Sequence, residues 1–152
     1  MRWITLALRI VLGAVFLYAA YTKLSQSWLL FAMAIDAYKV LPTWAVEVVA
    51  RGLPWFELVL GLVLISGVAL RYSAPVAAAL LGVFFVMMLR SYGLGMGIDC
   101  GCFGLGEPIS AKTLIRDGGL VAGAVALSWM AWRSARAPRI TTAEAPFQAG
   151  TV

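Results

Sequence analysis

The sequence predicts an all-α integral membrane protein: a four-helix bundle with short interfacial helices between its first and second spans. Three observations carry this expectation. Of the 152 residues, 62% are hydrophobic and 12% charged, where a soluble domain has about 45–50% and about 25%. Mean hydropathy is +0.92, so lipid is the solvent for much of the surface. The apolar residues also fall into runs of the ~20 residues that a helix rising ~1.5 Å per residue needs to cross ~30 Å of hydrocarbon. The net charge of +5 is scattered rather than clustered, which argues against a nucleic-acid partner. There is no histidine. Imidazole-ligated haem, His-containing zinc sites and Ser–His–Asp or Cys–His catalysis are thereby excluded.

The first span is expected over Trp3–Thr22. Arg9 inside the apolar run, and a Tyr18-Ala19-Ala20 ending without a small-x-small site, favour a retained helix over a cleaved signal. Between this span and the next, Trp28–Ile35 is an apolar octet followed by Asp36, Tyr38 and Lys39. Pro42 ends it, and Thr43–Ala50 reads as another short amphipathic piece. Both are expected in the interface, anchored by Trp28, Tyr38, Trp44 and Trp55. The second span is expected from Pro54, a residue suited to a first helical turn, to Leu70. Arg71 and Tyr72 are expected to make a tight hairpin into a third span, Tyr72–Leu89, which carries no charge until Arg90. The fourth has a charge-free core over Gly118–Trp132 and is expected to start near Thr113, with Arg116 and Asp117 at headgroup depth. Residues 1–136 thus form one four-span domain. The 137–152 tail, Pro- and Thr-containing and weakly hydrophobic, is expected to be disordered.

An even number of spans puts both termini on one side. With the N-terminus inside, the cytoplasmic cations are Arg2, Arg71, Arg133, Arg136 and Arg139, five against the six of the opposite side, Lys23, Lys39, Arg51, Arg90, Lys112 and Arg116. The count is a tie, and the Arg133/136/139 cluster abutting a span end tips it toward cytoplasmic termini.

The loop between spans three and four carries Asp99-Cys100-Gly101-Cys102-Phe103-Gly104, with five glycines between Gly93 and Gly104. Two cysteines separated by one glycine can close a small, strained disulfide, and strain makes such a bond an oxidant rather than a staple. Gly101 is the residue most able to permit that closure. Phe103 offers an apolar face for a partner or a quinone ring. As a negative neighbour Asp99 would be expected to raise the Cys100 thiol pKa, and Lys112 or Arg90 could offset this. Two other readings of the cysteines stand beside this one. They can be small packing residues, or they can bind copper with Met96, Met87 and Met88.

Charges within spans are costly and mark candidate sites. Arg9, Gly13, Phe16, Ala20 and Lys23 share one helix face, as do Glu57, Gly61 and Leu64 on the second span. The small residues allow close helix approach. Antiparallel helices bring Lys23 and Glu57 together on the side of the cysteine loop, as a structural ion pair or as groups that handle protons beside the dithiol. Arg9 falls about 21 Å away by helical rise and is expected to snorkel to the headgroups.

The pattern Arg9-x-x-x-Gly13-x-x-Phe16…Lys23-Leu24 resembles the DoxX-like superfamily. With Tyr38…Leu41-Pro42, Pro54-x-x-Glu57-x-x-x-Gly61 and the Asp-Cys-Gly-Cys-Phe-Gly string, the chain resembles its MauE branch over about residues 4–133. Ala20 stands where many such proteins have glycine. The resemblance implies a redox-associated protein of the bacterial inner membrane. It would act with a periplasmic thioredoxin-like partner in disulfide formation during maturation of an enzyme such as methylamine dehydrogenase. A likeness to quinone-linked disulfide-generating membrane proteins implies a quinone as electron carrier and a periplasmic cysteine loop. Cys100 and Cys102 would be the catalytic pair, and Asp99, Gly101, Phe103, Lys23, Glu57 and Arg9 its supporting residues. The rival expectations are a copper or soft-metal carrier and a non-catalytic membrane assembly subunit.

Overall fold

The computed structural model describes residues 2–98 and 108–136. The chain runs through α1 (Arg2–Leu24), α2 (Trp28–Ala37), α3 (Thr43–Ser66), α4 (Leu70–Gly93) and α5 (Ala111–Arg136). Four of these are long and apolar enough to cross a membrane: Trp3–Leu24, Thr43–Ser66, Leu70–Gly93 and Ala111–Ser134. At 22 to 24 residues each, they span a hydrocarbon core of ~30 Å with a turn to spare. The chain is a multi-pass membrane protein.

The expected bundle is present. α1 packs chiefly on α3 and α4 on α5, and the two antiparallel pairs meet through α1–α5 and α3–α4. The core is Leu12, Phe16, Leu60, Leu64, Ala74, Ala77, Ala124 and Leu127. Other large side chains face lipid: Ile4, Val11, Val59, Val83, Val86 and Trp129 are all exposed. The alanines Ala74, Ala77 and Ala124 among the core residues let the helices pack closely. Gly13 and Gly61 face one another where α1 crosses α3. A Cβ on either would stand 2.9 Å from the other's carbonyl oxygen.

Three boundaries differ from expectation. Thr43–Ala50 is not a separate interfacial piece but the start of α3, so only α2 lies between spans one and two. Pro54 therefore sits inside α3 rather than at its start. Its missing N–H leaves one backbone bond unmade, a defect membrane helices tolerate when neighbouring groups compensate. The tight hairpin is Gly67–Ala69 rather than Arg71–Tyr72, which belong to the first turn of α4. Gly67 takes φ 72° and donates its N–H to the carbonyls of Val63 and Leu64, a left-handed helix end.

α2 docks on α3 through a second apolar cluster, Phe31, Ala32, Val46 and Ala50. It has no charge in its first turn, and Trp28, Leu29, Leu30 and Met33 are exposed on its outer face. Such a helix suits the bilayer interface.

Candidate functional site

The cysteine loop springs from a defined base. After α4 the chain turns through Gly95 and Gly97, both at positive φ (64° and 60°), conformations that favour glycine. The Met96 N–H donates to the Ser91 carbonyl at 3.2 Å, and the Ile109 N–H donates to the Ile98 carbonyl at 3.1 Å. Ser110 then starts α5 with reciprocal bonds, its N–H to Thr113 Oγ1 (2.9 Å) and the Thr113 N–H to its own Oγ (3.4 Å). Asp99, Cys100, Gly101, Cys102 and Phe103 lie outside the described residues. The two chain ends that carry them are joined at Ile98 and Ile109. Of the cations expected near the motif, Arg90 donates to the Tyr38 carbonyl at 3.4 Å, and Lys112 is exposed in the first turn of α5.

Lys23 and Glu57 meet as expected. The Lys23 ammonium donates to Glu57 Oε1 at 2.9 Å and to Oε2 at 2.8 Å, with the two side chains 1% and 4% exposed. The face pattern explains the meeting: Phe16, Ala20 and Lys23 of α1, and Glu57, Gly61 and Leu64 of α3, are all buried. Two rings flank the ammonium, Phe31 of α2 at 5.4 Å and Phe84 of α4 at 5.9 Å from their centroids. Four helices therefore converge on one buried charge pair. The two phenylalanines went unremarked in the sequence, where each reads as an ordinary apolar residue.

Arg9 is not at this site. Its Nε donates to the Leu64 carbonyl at 3.2 Å and its Nη2 to the Ile65 carbonyl at 2.8 Å. It caps the C-terminal end of α3, where unpaired carbonyls and the helix dipole both favour a cation. A second internal charge lies in α5: Asp117, 5% exposed, receives Arg116 Nε at 2.9 Å and Nη2 at 3.4 Å. Met87 and Met88, two of the methionines considered as copper ligands, both pack in α4. Met88 is 1% exposed in the interior, and Met87 lines an apolar cavity.

Two spaces touch the Lys23–Glu57 pair, and a third lies beyond them. A polar vestibule of about 480 Å³ opens at the α1–α2 turn, lined by Lys23, Gln26, Ser27, Trp28, Arg51 and Trp55 among others. Arg51 stacks on the Trp28 ring at 4.2 Å and pairs with Glu47 at 2.7 Å. On the other side, a void of about 30 Å³ touches Glu57, Phe16, Ala19, Leu80 and Phe84. Beyond Leu80 and Phe84 lies a cavity of about 310 Å³ between α2, α3 and α4. Ile35, Tyr38, Leu41, Leu53, Val83 and Met87 contribute to its wall, and no charged side chain does. Lys23 and Glu57 thus stand between a space lined in part by polar side chains and an apolar one.

The family model described as methylamine utilisation protein MauE matches residues 1–130. Methylamine utilization protein MauE of Paracoccus denitrificans is 36% identical over 125 residues, covering 80% of this chain and 67% of that protein. The protein of the same name from Methylorubrum extorquens is 29% identical over 123 residues, 74% of this chain and 61% of its own length. No solved structure matches the chain.

Proposed function

The chain belongs to the MauE family, and from that membership and its cysteine loop we propose that it is a membrane thiol–disulfide redox protein. Cys100 and Cys102 cycle between disulfide and dithiol. A thiolate of a periplasmic thioredoxin-like partner attacks the Cys100–Cys102 disulfide, giving a mixed disulfide and freeing one thiol. The partner's second thiol resolves that bond. The partner leaves oxidised and the Cys-Gly-Cys pair is left reduced. Returning Cys100 and Cys102 to the disulfide would need a two-electron acceptor, such as a membrane quinone, to take up the two electrons and two protons that the dithiol gives up. The oxidised partner in turn supports disulfide formation in an enzyme such as methylamine dehydrogenase, in keeping with the relatives' role in methylamine utilisation.

The observation that carries this reading is the Asp99-Cys100-Gly101-Cys102-Phe103-Gly104 string, held on a base closed between Ile98 and Ile109. Phe84, which flanks the Lys23 ammonium, lies in the half of α4 that leads into this loop, so the buried pair shares that half of the bundle. The charge tally supports cytoplasmic termini and a periplasmic loop in a bacterial inner membrane. Lys23 is buried within the bundle and Arg116 is half-buried on Asp117. Removing these two from the six loop-side cations leaves four, against five on the side of the termini. At that same end Arg133 stacks on Trp129 at 3.7 Å and Arg71 on Trp132 at 4.7 Å, aromatic–cation anchors suited to an interface.

The test is thiol trapping in intact cells with a membrane-impermeant maleimide, with and without mild reductant. Labelling of Cys100 and Cys102 only after mild reduction is the expected result. Labelling without reductant contradicts a resting disulfide. Labelling only after lysis contradicts a periplasmic loop. Cys100→Ser and Cys102→Ser variants that still support full oxidation of the partner would sink the reading.

A further inference from the structure

We propose that the apolar cavity between α2, α3 and α4 and the two cations at its mouth form a site for one anionic phospholipid. Lys39 and Arg90 hold the phosphate, and an acyl chain lies in the cavity. The site is independent of the thiol–disulfide chemistry. Depth is the first argument. α4 begins at Leu70, where Arg71 stacks on Trp132 as an interface anchor. Arg90 stands about 30 Å further along the helix by its rise, at the opposite edge of a hydrocarbon layer ~30 Å thick. The cavity takes Leu80, Val83, Phe84 and Met87 from α4, about 5 to 15 Å below Arg90 on the same measure. The chains of one leaflet fill that depth, about half of the ~30 Å. The cavity of about 310 Å³ is walled almost wholly by apolar side chains, so water finds few partners in it. Val83 and Leu41 on its rim are 58% and 41% exposed, which leaves it open to lipid.

Charge is the second argument. Arg90 Nη1 donates to the Tyr38 carbonyl at 3.4 Å, and Tyr38 lines the cavity. Lys39 follows in the chain, between the lining residues Tyr38 and Val40. Both cations therefore border one edge of the opening, and both are exposed. Asp36 pairs with the Lys39 ammonium, whereas the partner of Arg90 is a neutral carbonyl. Among the described contacts, two cations against one carboxylate leave this edge one positive charge in excess. A headgroup with one net negative charge is its complement. A phospholipid carries the anion and the apolar chain in one molecule, in the order of depth that the site presents. Bound there, it fills the gap beside α4 that α2 leaves when it docks on α3.

The experiment uses the full chain in phosphatidylcholine nanodiscs with a trace of phosphatidylglycerol carrying a mid-chain diazirine. After photolysis, peptide mass spectrometry maps the adducts. They are expected to concentrate at Leu80, Phe84 and Met87, above the level at lipid-facing residues outside the cavity such as Val59 and Val125. Unlabelled phosphatidylglycerol is expected to displace them about fivefold more effectively than added phosphatidylcholine, the scale of one net cation at an anionic headgroup. Arg90→Gln and Lys39→Gln are each expected to bring the two lipids to parity. Val83→Trp, at a lipid-facing rim position, is expected to remove the cavity adducts and keep those at Val59, which shows the bundle intact. Adducts spread evenly over lipid-facing residues, or a Val83→Trp map identical to the parent's, overturn the cavity as the seat. Equal displacement by the two lipids in the parent, or a fivefold preference that survives both glutamine variants, refutes the anionic-lipid site.

Discussion

Lys23→Met is the perturbation whose consequence the structure sets most sharply. The ammonium is bonded to both carboxylate oxygens of Glu57, at 2.8 and 2.9 Å. The rings of Phe31 and Phe84 flank it at 5.4 and 5.9 Å. Methionine keeps most of the side-chain volume, so the substitution removes the charge and leaves the packing. What remains is a carboxylate 4% exposed with its cation gone. Breaking a buried pair in this way costs about 3–5 kcal/mol. At 1.4 kcal/mol per factor of ten, that is between two and four orders of magnitude in the folding equilibrium. Glu57→Met strands the ammonium and is expected to cost about the same. Lys23→Met/Glu57→Met removes both charges, and replacing a buried pair by apolar groups of similar volume is near neutral or stabilising. The assay is equilibrium unfolding of the detergent-solubilised protein, followed by its tryptophans. A single variant within about 0.5 kcal/mol of the parent, the scale of surface substitutions, refutes the argument. So does a double variant no more stable than the singles, since coupling is the signature of the pair.

Other contacts make similar demands. Gly67→Ala puts a Cβ at φ 72°, onto the Arg9 guanidinium that caps α3. It is expected to cost at least the ~1–2 kcal/mol of a left-handed non-glycine residue, and thermal unfolding in detergent reads the loss. Arg9→Met removes the bonds to Leu64 and Ile65, each worth about 1.5–3 kcal/mol when the donor is charged. Its loss in the same scan should overlap with that of Gly67→Ala rather than add to it. Gly13→Val forces α1 from α3, because a Cβ alone stands 2.9 Å from the Gly61 carbonyl and closer still to Ile65. A destabilisation of about 1–3 kcal/mol or more is expected from such overpacking, checked by the same unfolding assay. Ser110→Ala deletes the cap of α5 at a cost of about 1 kcal/mol. Faster amide exchange confined to the first turn of α5 would show it.

The spans and the ion pair were legible in the sequence for the same reason. Both rest on periodicity, and helices long enough to cross a bilayer follow it closely: the stripe through Gly13, Phe16, Ala20 and Lys23 packs inward as its spacing says. Boundaries were less legible because local signals compete. Pro54 suits a first helical turn, yet Pro42 is the residue that precedes the helix, its carbonyl accepting from Ala45 and Val46 at 2.9 and 3.1 Å. Gly67 marked the true helix end, but Val68-Ala69-Leu70 continues apolar and hid the turn. Arg9 was read by its depth alone. Its partners are backbone carbonyls 55 and 56 residues away, and carbonyls leave no mark in a sequence.

The apolar cavity and the vestibule are harder still, because both are made by where α2 docks. α2 buries Phe31 and Ala32 against Val46 and Ala50 of α3. That contact brings the Phe31 ring to 5.4 Å from the Lys23 ammonium. The connection after α2 is then fastened to α4, where Arg90 donates to the Tyr38 carbonyl at 3.4 Å. One short helix thereby roofs the ion pair, walls the cavity with Ile35 and borders the vestibule with Trp28. Ten residues too short to cross the bilayer turn a plain bundle into one with a polar face and an apolar face on either side of a buried charge. The four spans supply a charge pair at the right depth, and α2 separates its two sides.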